Sequence, residues 1–92
     1  MSVVIVGGNE CMTRKYKELC EEYSFSAKIY PKMKGGMKNG IGNPDLLILF
    51  TGTTSHKMVR YALSEIRGTQ TTVERCHSSS VTALRNILSV YA

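Results

Sequence analysis

Two short runs of uninterrupted apolar residues constrain this chain most: Val3-Val4-Ile5-Val6 and Leu46-Leu47-Ile48-Leu49-Phe50. A strand with one face in water alternates apolar and polar positions, whereas these runs do not alternate. They therefore read as strands buried on both faces, which are found in parallel sheets covered by helices on each side. Each run ends in residues that break a strand: Gly7-Gly8 after the first, and Thr51-Gly52-Thr53-Thr54 after the second, which is preceded by Pro44-Asp45. Two central strands of one sheet are the expectation.

The rest of the chain supplies what such a sheet needs. Met12, Tyr16, Leu19, Cys20 and Tyr23 recur at helical spacing and predict a helix from Met12, with Asn9 or Thr13 as its cap. Ser26 to Tyr30 reads as a short strand near an edge, closed by Pro31, which lacks a ladder donor. Lys32 to Asn43 holds Gly35, Gly36, Gly40 and Gly42, and reads as a basic loop with at most one helical turn, since each glycine costs a helix about 1 kcal/mol against alanine. Val59, Ala62, Leu63 and Ile66 predict a second helix, capped by Ser55 or Thr54 and stopped at Gly68. Thr71 to Cys76, with Glu74 and Arg75, reads as an edge strand. A last helix starts in Ser78-Ser79-Ser80 and buries Val81, Leu84, Ile87, Leu88 and Tyr91.

Alternating strands and helices predict one α/β domain over residues 1–92: a small Rossmann-like or flavodoxin-like three-layer sandwich on a four-stranded parallel sheet of order 2-1-3-4. At 92 residues, one core is all the chain can build. No stretch approaches the roughly 20 apolar residues that span a bilayer, and the start at Met1 shows no signal peptide, so no membrane association is expected. Cys11, Cys20 and Cys76 follow no paired spacing and read as reduced thiols of a cytoplasmic protein.

Topology then gathers the polar motifs. Parallel strands point their carboxyl ends one way, and ligands bind where the strand order reverses, here between the first and third strands. Gly7, Gly8 and Asn9 leave the first strand; Thr53, Thr54, Ser55 and His56 leave the third; Cys76, His77, Ser78, Ser79 and Ser80 leave the fourth. All three reach the same rim. Positive φ at the glycines would leave N–H groups uncovered, and helix starts at Ser55 and Ser79 offer donors and the positive dipole end, a setting for a phosphate, carboxylate or carbonyl. It is neither GxGxxG nor a P-loop. A plain strand-to-helix turn and plain capping serines account for the same residues.

His56 and His77 are the chain's histidines, and both fall on this rim, with Lys57 beside His56 favouring anions over a bare cation. Cys76, His77 and His56, with Cys11, are the candidates for a redox, metal or haem site, although no haem-attachment spacing is present and most such cysteines are buried small apolar groups. No cofactor is specified. Acids are scarce, with Glu10 near the rim, and no Ser-His-Asp set assembles, which weighs against an enzyme. The net charge of +5 suits an anionic ligand or polyanion. Nucleic acid would meet Lys32, Lys34 and Lys38, with Tyr30 alone as a nearby aromatic, in a phosphate-only contact. Pairing of two copies along the weak edge strand would make a homodimer.

Read in order, Val3-Val4-Ile5-Val6-Gly7-Gly8, Asp45-Leu46-Leu47-Ile48-Leu49-Phe50-Thr51, Ser55-His56 and His77-Ser78-Ser79-Ser80 followed by Ala83-Leu84 resemble the bacterial family called domain of unknown function 2325. The resemblance covers essentially the whole chain. It implies a small bacterial cytoplasmic domain with a Rossmann-like fold and brings no activity with it. The glycine-rich Lys32 to Asn43 stretch departs from the helical crossover expected there. The reading reached is a small-ligand-binding or sensing module for an anionic, phosphate- or nucleotide-like molecule; the alternatives are a redox, metal or haem protein and a homo-oligomeric interaction domain.

Overall fold

A computed structural model describes residues 1–31 and 41–92. Strands β1 (Ser2–Val6), β2 (Ser26–Tyr30), β3 (Leu46–Phe50) and β4 (Thr72–Cys76) alternate with helices α1 (Thr13–Glu22), α2 (His56–Glu65) and α3 (Val81–Tyr91). All strands are parallel, in the order β2-β1-β3-β4. The α/β architecture is the one the apolar runs predict, and the two unalternating runs occupy the centre. In β3 all five residues are buried, and in β1 all but Ser2. The edge strands β2 and β4 have no fully buried residue.

Period-two alternation splits the central strands between two cores. Val3, Ile5, Leu46, Ile48 and Phe50 point to one face, where Tyr16, Leu19 and Cys20 of α1 and Leu84 and Leu88 of α3 cover them. Val4, Val6, Leu47 and Leu49 point to the other, beneath Met58, Ala62 and Ile66 of the α2 side, with Ile41. Complete burial of side chains such as Leu84 and Leu88 is worth about 1.5–3 kcal/mol each.

Several boundaries shift from their sequence expectation. Glu10–Met12 forms a 3-10 turn, so α1 begins at Thr13, and Asn9 caps that turn while Thr13 sits inside the helix. Thr51–Thr53 is also a 3-10 turn, and β4 begins at Thr72 because Thr71 turns its hydroxyl to the Pro44 carbonyl at 2.6 Å. Met58 is buried, where the spacing starting from Val59 had left it out. The reading of Lys32 to Asn43 as a basic loop lies, for residues 32–40, outside the described residues. Among the described residues no helix is long and apolar enough to cross a membrane.

Candidate functional site

The carboxyl ends of β1, β3 and β4 come level because their registers pair Val6 with Leu49 and Phe50 with Cys76. The loops leaving them are joined pairwise. Gly7 and Gly8 both take the left-handed region, at φ +94° and +91°. That turn brings the Gly8 N–H to Thr53 Oγ1 at 2.7 Å. The Thr53 hydroxyl in turn donates to the Phe50 carbonyl at 3.2 Å, and the Thr54 hydroxyl donates to the same carbonyl at 2.8 Å. A Cβ on Gly7 would stand 1.9 Å from Thr54 Oγ1, so the first two loops touch where a side chain would otherwise be.

Tyr16 joins the first loop to the third. Its ring is fully buried against Phe50, with centroids 5.5 Å apart. Its hydroxyl accepts from the Asn9 N–H at 3.3 Å and donates to the Ser79 carbonyl at 2.5 Å. Buried tyrosines carry a polar end that needs a partner, and here the rim supplies two. The second and third loops meet at Gly52, where a Cβ would lie 2.4 Å from the His77 carbonyl oxygen and 3.2 Å from His77 Cε1.

Over the end of β1 lies an open cleft of about 460 Å³ lined by Gly8, Asn9, Glu10, Cys11, Pro31, Thr53 and Ser79. Gly8, Asn9, Thr53 and Ser79 of the sequence-derived rim set line it. Thr54 lies just beneath, tied to Phe50 and, at 3.5 Å, to the Val6 carbonyl. Ser55 and Ser80 are occupied as helix caps, accepting from the Met58 N–H at 3.2 Å and the Ala83 N–H at 3.1 Å. Ser78 is tied to Ser80, its hydroxyl donating to Ser80 Oγ at 3.2 Å. His56 opens α2 and is exposed, as is His77 against Gly52; neither lines the cleft. Tyr16, Gly52 and Pro31 are the positions that the motifs did not single out as ligand-contacting or loop-joining, and Cys11, a thiol candidate in the sequence, lines the cleft. The signal for Tyr16 was a tyrosine on the buried face of a helix.

One expectation is corrected by this geometry. The glycine turn does not leave its N–H groups uncovered: Gly7 donates to the Tyr30 carbonyl at 2.9 Å, Gly8 to Thr53 and Asn9 to Tyr16, while Cys11 donates to Asn9 Oδ1 at 3.0 Å. The backbone of the turn therefore presents no spare donor among these four, and the cleft is faced by side chains. Ser79 stands one residue before the Ser80 cap of α3, whose first-turn N–H groups have no helical acceptor, the Ala83 N–H being taken by Ser80 Oγ.

All three cysteines are free thiols. Burial pushes the Cys20 thiol up to about 11, with Glu21 adding to the shift, which makes it a core group and a poor nucleophile. Cys76 is half-buried, its S–H donating to the Ser78 carbonyl at 3.1 Å, and Cys11 is exposed at the cleft. Among the described residues no three of His, Cys, Asp and Glu come together as a metal-ion group.

A family model described as "Uncharacterized protein conserved in bacteria (DUF2325)" matches residues 2–91, and the chain belongs to that family. No curated protein and no solved structure matches it.

Proposed function

We propose that this DUF2325 domain is a small-ligand-binding or sensing module that takes an anionic, phosphate- or nucleotide-like molecule in the rim cleft. The observation that carries the reading is the position of the cleft: it opens at the β1–β3 reversal of strand order, where open α/β sheets bind ligands. Among its lining residues Asn9 carries a side-chain amide and Ser79 a hydroxyl, with Glu10 as the acid; the start of α3 next to Ser79 and the net charge of +5 favour an electron-rich ligand. The three free thiols suit a cytoplasmic setting. The reading also takes the domain to act as a homodimer through an exposed edge of its sheet, which light scattering would report.

Inorganic phosphate, pyrophosphate and nucleoside mono-, di- and triphosphates are the panel to test by thermal shift. A ligand at 100 times its Kd adds about 2.7 kcal/mol, which raises the midpoint of a domain this size by roughly 10 °C or more. Ser79→Leu, which fills the cleft without touching the Ser80 cap, should abolish the shift, and ligand should slow alkylation of the exposed Cys11. A panel that leaves the midpoint unmoved at millimolar concentration, or a shift that survives Ser79→Leu, would refute the proposal.

A further inference from the structure

The two helical layers differ in how they carry charge. On the α1–α3 layer both arginines are answered by acids, although among the described residues Lys15 and Lys17 are not: Arg14 Nε lies 3.5 Å from Glu18 Oε1, and Arg85 Nη2 lies 3.4 Å from Glu22 Oε2. On the other layer, Met58, Ala62 and Ile66 fix which side of α2 faces the core. At 3.6 residues per turn, Lys57, Arg60, Ser64 and Arg67, the last just past the helix end, fall on the opposite side. All four are exposed. No acid shares that side; Glu65 lies on its flank, accepting from the Tyr61 hydroxyl at 3.0 Å. Lys57, Arg60 and Arg67 form no ion pair among the described residues.

We infer that this outward face of α2 is a contact surface for the phosphate backbone of a nucleic-acid duplex, separate from the rim cleft. Arg60 and Arg67 flank a shallow groove of about 300 Å³ with Ser64 and Leu63. Guanidinium groups offer paired donors that match phosphate oxygens. At the helical rise of about 1.5 Å, seven positions correspond to about 10.5 Å, roughly three rises of about 3.4 Å measured along a duplex axis. The Ser64 hydroxyl is spent on the Tyr61 carbonyl at 2.7 Å, and Tyr61 is turned to Glu65, so neither the hydroxyl nor the tyrosine of this region is free to read or stack on a base. The contact is one of charge, independent of sequence. A membrane surface fits less well, because a helix lying on lipid presents its apolar side outward, and the apolar side of α2 is in the core.

The full chain is titrated into a fluorescent random-sequence DNA duplex at several salt concentrations, with anionic vesicles and polyglutamate as parallel arms. Each phosphate contact contributes about 0.9 to the slope of log affinity against log salt, so R60Q/R67Q should flatten the slope by about 1.8. Wild type then loses about 12-fold more affinity than the variant between about 50 and 200 mM salt. Lys57→Gln alone should flatten it by about 0.9, which keeps the test open if the double variant misfolds. Replacing Lys15 and Arg85 of the other layer should leave the slope unchanged. An unchanged slope in R60Q/R67Q, no duplex binding at low salt, or equal or tighter capture by vesicles or polyglutamate would overturn the inference.

Discussion

Gly7→Ala tests the joint between the first two rim loops, and Gly68→Ala is its control. Both glycines have positive φ, +94° and +84°, so alanine at either bears the left-handed penalty of about 1–2 kcal/mol. Stiffening of the unfolded chain offsets part of this at both sites alike. The difference is space. A Cβ at position 68 meets nothing within 4 Å, whereas at position 7 it meets Thr54 Oγ1 at 1.9 Å and the Phe50 carbonyl at 3.0 Å. Thr54 must swing away and give up its bond to that carbonyl, a loss of about 1–3 kcal/mol. Gly7→Ala should therefore cost about 2–5 kcal/mol and Gly68→Ala about 1–2, against a total stability of about 5–14 kcal/mol for a chain of this length. Urea unfolding followed by far-UV circular dichroism measures both. In a Thr54→Ala background the extra cost of Gly7→Ala should shrink, since the overlapping oxygen is gone. Equal costs for the two glycines, or an undiminished Gly7 penalty without the Thr54 hydroxyl, would show that the loops do not meet as described.

Tyr16→Phe keeps the ring on Phe50 and deletes the hydroxyl between the Asn9 N–H and the Ser79 carbonyl, so a loss of about 1–2 kcal/mol is expected, with faster hydrogen exchange at the Asn9 amide; unchanged exchange there would count against the bridge. Cys20 gives a pH dependence. Its folded-state value of about 11 lies above the ordinary 9.0, so its contribution is intact below about pH 9 and is lost as pH rises toward 11, because the unfolded chain gives up the thiol proton first. Denaturation series at successive alkaline pH values should show a weaker decline in Cys20→Ala than in wild type, and an identical decline would dissociate the thiol from it.

The fold was legible because the strongest signals act over short windows. Val3–Val6 and Leu46–Phe50 state their double burial in their own composition, and right-handed crossovers then leave few strand orders. Boundaries were less legible where a side chain competes with the ladder or the helix, as Thr71 does at the Pro44 carbonyl and Asn9 does at the Cys11 N–H. Met58 escaped because it lies in the first turn of α2, between the polar Lys57 and the less buried Val59, and only packing against β1 and β3 decides that it turns inward.

At the rim, topology predicts which loops meet, while the atoms that join them depend on contacts between distant residues. Gly8 to Thr53 spans 45 positions and Tyr16 to Ser79 spans 63, so no local pattern couples either pair. The same long-range bonds change the chemistry of the place. A glycine turn with bare N–H groups would hold a phosphate by its backbone, but Thr53, Tyr16 and Asn9 have already taken those donors. What remains toward the cleft is the Asn9 amide, the Glu10 carboxylate, the exposed Cys11 thiol and the Ser79 hydroxyl, with the start of α3 next to Ser79. Such a lining suits modest, reversible affinity, set by few charge-assisted bonds. The proposed sensing role requires that property, because a site reports a concentration only when its Kd lies near that concentration.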